Sequence, residues 1–184
     1  MPGKKHVITR RDFIRTGSCA VMGSLMGFPW IREAAGQSDV KSRVVLIRDQ
    51  KVTAGYGSLD EELARDMLDQ AVTRVLGAPN PESAWRQIVT PQDVVGIKSN
   101  VWHYLPTPKS LEDALTERLM EAGVDPKNIS IDDRGVRHNP VFKKSTALIN
   151  IRPMRTHHWS GLGTLLKNYI MFVSSPMMYH GNAC

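Results

Sequence analysis

The feature that most limits what this chain can fold into is an alternation between residues 93 and 153, in which short β-branched and aliphatic runs flank a capped amphipathic stretch. "DVVGIKSN" (93–100) has the pattern of a buried strand, apolar on both faces. "TPKSLEDALTERLMEAG" (107–123) then reads as a helix: Thr107 caps it, Pro108 takes the first helical position, Leu111, Leu115 and Leu119 form a stripe, and Gly123 stops it. "NISIDDRG" (128–135) and "STALINIRP" (145–153) supply two further strands. Upstream, "SRVVLIRD" (42–49) reads as the first buried strand and "KVTAGYGS" (51–58) as turn residues. The next stretch, 58–77, predicts a helix with Ser58 as cap, Glu61 as its capping-box partner and Gly77 just past the end. A short helix begins at Pro81, and "GLGTLLKNYIMF" (161–172) reads as a final helix. Strands alternating with helices predict an α/β fold, a mostly parallel sheet with helices on both faces. At 184 residues the chain suits a single domain after an N-terminal leader.

The leader occupies residues 1–36. A basic start, an apolar core "TGSCAVMGSLMGFPWI" and small residues "AAG" at 34–36 are the three parts of an export signal. Its core is too short for a permanent span, which needs about 20 apolar residues. Thr9-Arg10-Arg11-Asp12-Phe13-Ile14-Arg15 resembles the twin-arginine signal, with Arg10, Arg11 and Phe13 at the defining positions. The machinery that reads this signal exports folded proteins, so a cofactor inserted before export or a partner carried along is implied. Thr16, Gly17 and Ser18 stand before Cys19 and most of the apolar core follows it, which argues against a lipid-attachment cysteine.

Charge narrows the function classes. Of the formal net charge of +6, residues 1–36 hold +4, six Lys and Arg against Asp12 and Glu33, which leaves +2 for residues 37–184. So small a mature charge, in an exported protein, disfavours nucleic-acid binding. The two cysteines, Cys19 and Cys184, lie near opposite ends, and no cluster is present to hold zinc or an iron–sulfur centre.

In parallel α/β sheets ligands bind beyond the carboxyl ends of the strands. Those positions carry Lys98, Ser99 and Asn100, then Asp132 and Asp133, then the segment from Arg152 to His158. Lys, Asn, Arg and His suit an anionic or phosphate-bearing ligand, because they donate hydrogen bonds and Arg donates a bidentate pair. Plainer roles stand beside this one: Lys98 as a solvated strand-end lysine, Asp132 and Asp133 as caps of the turn before Gly135. His157 and His158 alternate in direction on an extended segment, so one metal ion does not take both readily. Met177, Met178, His180 and Cys184 are copper-type ligands in no recognised spacing, with core filling the plainer role for the methionines.

Taken together, "VVGIKSNV", Thr107-Pro108, "MEAGVDPKNISIDD" and "PMRTHHWSGLGTLLKNYIM" resemble domain-of-unknown-function family 362 over residues 43–182. The family pattern of Lys-x-Asn, Thr-Pro, Lys-x-His and Lys-Asn falls on Lys98 and Asn100, Thr107 and Pro108, His157, and Lys167 with Asn168. Arg155 replaces the lysine of the third element, keeping the charge but not a titrating amine. Family domains continue further, so residues 37–184 read as a front portion, incomplete at the C-terminus. Many members carry a Cys-rich cluster module; this sequence has none, so a redox role implies a separate redox partner or second subunit.

The leader predicts a periplasmic or extracellular protein, and the resemblance and the strand-end residues predict that it binds an anionic small molecule or an unidentified cofactor. Lys98 and Asn100 orient the ligand, Asp133 is a further ligand-binding residue, Arg155 pairs the ligand's charge, His157 is the acid–base candidate, and Lys167 with Asn168 close the site. The alternative is a non-catalytic redox-associated or scaffold subunit exported with a partner. In either case the expected contacts are the twin-arginine translocation machinery, no nucleic acid, and the membrane only in passing through the leader.

Overall fold

The computed structural model describes residues 42–55, 58–158 and 161–180. Arg10, Arg11, Phe13 and Cys19 of the expected leader lie outside the described residues, as does Cys184.

After a 3-10 turn at Gln50–Val52, strands β1 (Thr53–Gly55) and β2 (Ser58–Leu59) pair antiparallel. Helix α1 (Glu61–Leu76) follows, then α2 (Pro81–Ile88), β3 (Val95–Lys98), α3 (Lys109–Glu121), β4 (Ile129–Asp132), α4 (Pro140–Lys144) and β5 (Ala147–Asn150). A second antiparallel pair, β6 (Arg155–His157) and β7 (Gly161–Gly163), leads to α5 (Leu165–Asn168), a 3-10 turn at Tyr169–Phe172 and α6 (Met177–His180). The centre is a three-stranded parallel sheet in the order β4-β3-β5 with helices, an α/β arrangement.

Alternation along β3 divides the molecule. Val95 and Ile97 point into an apolar cluster with Trp85, Val89, Leu115, Leu119 and Val124. Gly96 and Lys98 point the other way, and Phe142 of α4 lies so close over Gly96 that an added Cβ would meet its ring at 3.0 Å. The helices around the cluster are tied by one buried carboxylate: Asp69 of α1 accepts from Trp85 Nε1 at 3.0 Å and Arg118 Nε at 2.9 Å.

Helix starts depart from expectation in detail. Asp60, not Ser58, caps α1, accepting from Leu63 N at 2.9 Å, because Ser58 is taken up in β2. Gly77 ends it in the left-handed conformation at φ 66° as expected. Asn80 and Pro81 open α2. Thr107 gives α3 no side-chain cap; Pro108 holds the cap position, and the threonine clasps the preceding loop instead. That clasp is reciprocal: Asn100 N donates to Thr107 Oγ1 at 3.1 Å and Thr107 N to the Asn100 carbonyl at 2.8 Å.

Two larger expectations are overturned. Residues 42–49 form no strand; Val44 is 87 % and Leu46 69 % exposed. A β-branched run needs a partner edge to become a strand, and among the described residues none pairs with it. The "final helix" at 161–172 is instead a strand, one helical turn and a 3-10 turn. Gly161, at φ 70°, and Gly163 favour the hairpin over helix propagation.

Candidate functional site

Register brings the strand ends level. Lys98 pairs with Asp132 on one side and Asn150 on the other, so one row across the sheet ends in three polar residues. Beyond that row the chain turns outward, and a cavity of about 530 Å³ opens there. Asn100 and Trp102 line it from the loop after β3, Asp133 and Arg134 from the loop after β4, and Arg152 from the loop after β5. Arg155 and His157 belong to β6, Lys167 and Asn168 to α5.

Lys98 is not among the wall residues. It is 0 % exposed beneath them, which overturns the solvated strand-end lysine. Its ammonium faces the Ser99 carbonyl at 2.7 Å, Asn168 Oδ1 at 3.3 Å and Asp133 Oδ1, three acceptors for three N–H bonds. Burial pushes its pKa below the ordinary lysine value, although Asp133 pulls the other way. With every donor engaged, Lys98 positions its neighbours and does not meet a ligand itself.

The two adjacent aspartates divide the roles that the sequence left open. Asp132 does cap the turn, accepting from Gly135 N at 2.8 Å and from Asn139 Nδ2 at 3.1 Å. Asp133 faces inward, holding Lys98 on one oxygen and Val101 N at 2.9 Å on the other.

Asn168 is the pivot. Its Oδ1 accepts from Lys98 Nζ and Asn100 Nδ2, each at 3.3 Å. Its Nδ2 lies within hydrogen-bond distance of Asn150 Oδ1 at 2.8 Å, the Ser99 carbonyl at 3.1 Å and the Ile151 carbonyl at 3.2 Å. One buried amide thereby joins α5 to the ends of β3 and β5.

Arg155 is set by Asn100 and Trp102. Its Nη1 donates to Asn100 Oδ1 at 3.0 Å, and its Cζ lies 4.0 Å from the Trp102 ring centroid, a cation–π stack. Arg152 differs: Nη1 donates to the Thr164 carbonyl at 3.2 Å, but Nε and Nη2 are buried with no hydrogen-bond partner among the described residues. A buried donor left unsatisfied costs about 1–3 kcal/mol, and a charged one more. Burial lowers the pKa of both guanidiniums, and at Arg152 the nearby Arg155 charge adds to the effect.

Asn100, Asp133, Arg155, His157, Lys167 and Asn168 are thus gathered around one cavity, with Lys98 underneath. Reading the sequence selected the segment that contains Arg152 but not the residue, and missed Trp102 and Arg134; a cation directly after a strand, and an aromatic two residues beyond Asn100, were the available signals. Met177 and Met178 are exposed, not core filling, and the side chain of His180 lies outside the described residues. The arrangement offers several cationic donors around one cavity with one carboxylate already paired, which is chemistry for holding an anion. Comparison with protein-family models, curated proteins and solved structures gives no match to this chain.

Proposed function

We propose that this is an exported protein, of the kind represented by family 362, that binds an anionic small molecule or cofactor at the carboxyl ends of its parallel strands. The observation that carries this reading is the cavity wall: Arg134, Arg152, Arg155 and Lys167 surround it, and its single carboxylate, Asp133, is neutralised by Lys98. His157, also on the wall, is the group placed to exchange a proton with a bound ligand. Export rests on the twin-arginine stretch at 9–15, and a periplasmic or extracellular location follows from it. A ligand installed before export would account for the use of a folded-protein route.

A second reading has its own support. Leu162, Leu165, Leu166, Met177 and Met178 are exposed along residues 162–178, with Leu166 at 82 %. Apolar side chains concentrated in this way suit a subunit that is carried through export with a partner.

Native mass spectrometry with elemental analysis on protein recovered from the periplasm separates the two. A bound small anion or cofactor at near-unit stoichiometry is the outcome expected of the first reading. An empty chain that co-purifies with a second polypeptide contradicts it and supports the second.

A further inference from the structure

Among the buried side-chain donors of the residues that line the cavity, two on the same side chain have no acceptor among the described residues. Those two, Nε and Nη2 of Arg152, lie on one edge of the planar guanidinium, and their N–H bonds run parallel. This edge matches two oxygens of a phosphoryl or carboxylate group, while Nη1 is fixed at the Thr164 carbonyl and sets the orientation of the plane. Gly163 backs the same edge; an added Cβ there would come within 3.1 Å of Nη2.

Charge decides between the two oxyanions. Arg152 and Arg155 are close enough for their charges to oppose one another, and Asp133 is already occupied by Lys98 and Val101 N. A monocarboxylate brings one negative charge to this pair, whereas a phosphate monoester brings about 1.5–2 on one centre at neutral pH. From the unpartnered fork and the surrounding cations, the geometry points to a phosphoryl group as the ligand's anchor, held bidentate by Nε and Nη2 of Arg152 with Arg155 beside it. This rests on the anion-binding reading above and gives it a chemical class. Trp102 already carries Arg155 on its ring, so the specificity lies in the fork and not in aromatic stacking.

The test is calorimetric titration of the full chain with inorganic phosphate, acetate and citrate at fixed ionic strength, on the wild type and on Arg152→Lys. Lysine keeps the charge and removes the fork, so phosphate affinity is expected to fall by about tenfold or more, with acetate bound weakly by both proteins. Gly163→Ala crowds Nη2 without changing any charge and is expected to weaken phosphate in the same direction; it stands in if Arg152→Lys does not fold. Equal phosphate affinity in wild type and variant overturns the fork and leaves an anion site in place. Citrate bound more tightly than phosphate overturns the phosphoryl class, again leaving the anion site. No binding of any of the three anions overturns both this inference and the function on which it rests.

Discussion

Two buried carboxylates in this molecule sit in similar company and end differently. Asp69, among α1, α2 and α3, collects the Trp85 indole and the Arg118 guanidinium. Asp133, beyond the end of β4, collects Lys98 and the Val101 N–H, and the network continues through Asn168 and Asn100 to Arg155. The first network runs on from Arg118 to Glu121 and Arg65 at the surface and leaves no buried donor without a partner among the described residues. The second ends at a cavity where the neighbouring Arg152 keeps two buried donors without an acceptor. A network with every buried donor partnered is a device for joining helices; one beside stranded donors, which the fold must offset elsewhere, is where a ligand completes the hydrogen bonding.

The comparison breaks first at Asp69. Asp69→Ala strands the buried Trp85 N–H and the Arg118 charge, and a loss of about 3 kcal/mol in unfolding free energy is expected from urea denaturation. Anion affinity of the remaining folded protein should be unchanged. Asn168→Ala is expected to lower stability less, by about 2 kcal/mol, because it removes one neutral amide from several partners. Unlike Asp69→Ala it should also weaken anion binding, since Asn100 and through it Arg155 lose their support. If Asn168→Ala leaves anion affinity intact, the two networks do not differ in kind.

The smallest effect is expected at the opposite end of the sheet. Asp93 accepts from Thr146 Oγ1 at 2.5 Å and from Thr90 N and Oγ1 at 2.7 and 2.8 Å, and these bonds hold its carboxyl below the usual aspartate range. A depressed folded value contributes stability that is present above the unfolded value and is lost as pH falls through the folded one. Asp93→Asn should therefore flatten the acid limb of the urea midpoint from about pH 5 downward and leave neutral-pH anion binding untouched. An unchanged acid limb would remove Asp93 from the account.

The central strands were legible because local pattern and tertiary role agree there: "VGIK", "ISID" and "ALIN" are largely apolar runs that the sheet buries or half-buries everywhere except at Leu148. Residues 42–49 have the same pattern and failed, since a strand needs an edge to pair with and nothing in eight residues reports one. The candidate site was legible to the level of residue type. Lys98, Asn100 and Asp133 converge as strand-end polar residues in a parallel sheet should, while Arg155, His157, Lys167 and Asn168 reach the same place from β6 and α5. What each one does was not legible. Lys98 and Arg152 are both basic residues near strand ends; only long-range partners make the first fully engaged and leave the second open. Thr107 shows the same limit, since its hydroxyl serves either a helix start or the Asn100 loop and sequence alone does not distinguish them.

The most direct test of the strand-end cavity as an anion site is the thermal midpoint of the wild-type chain as phosphate is raised at constant ionic strength, with chloride as the balancing anion. A ligand that binds only the folded state raises the midpoint in proportion to the logarithm of its concentration once the site is filled. The account predicts such a rise with phosphate, reduced in Asn168→Ala and retained in Asp93→Asn. A midpoint that does not move with phosphate in the wild type, or that moves equally in Asn168→Ala, would contradict it.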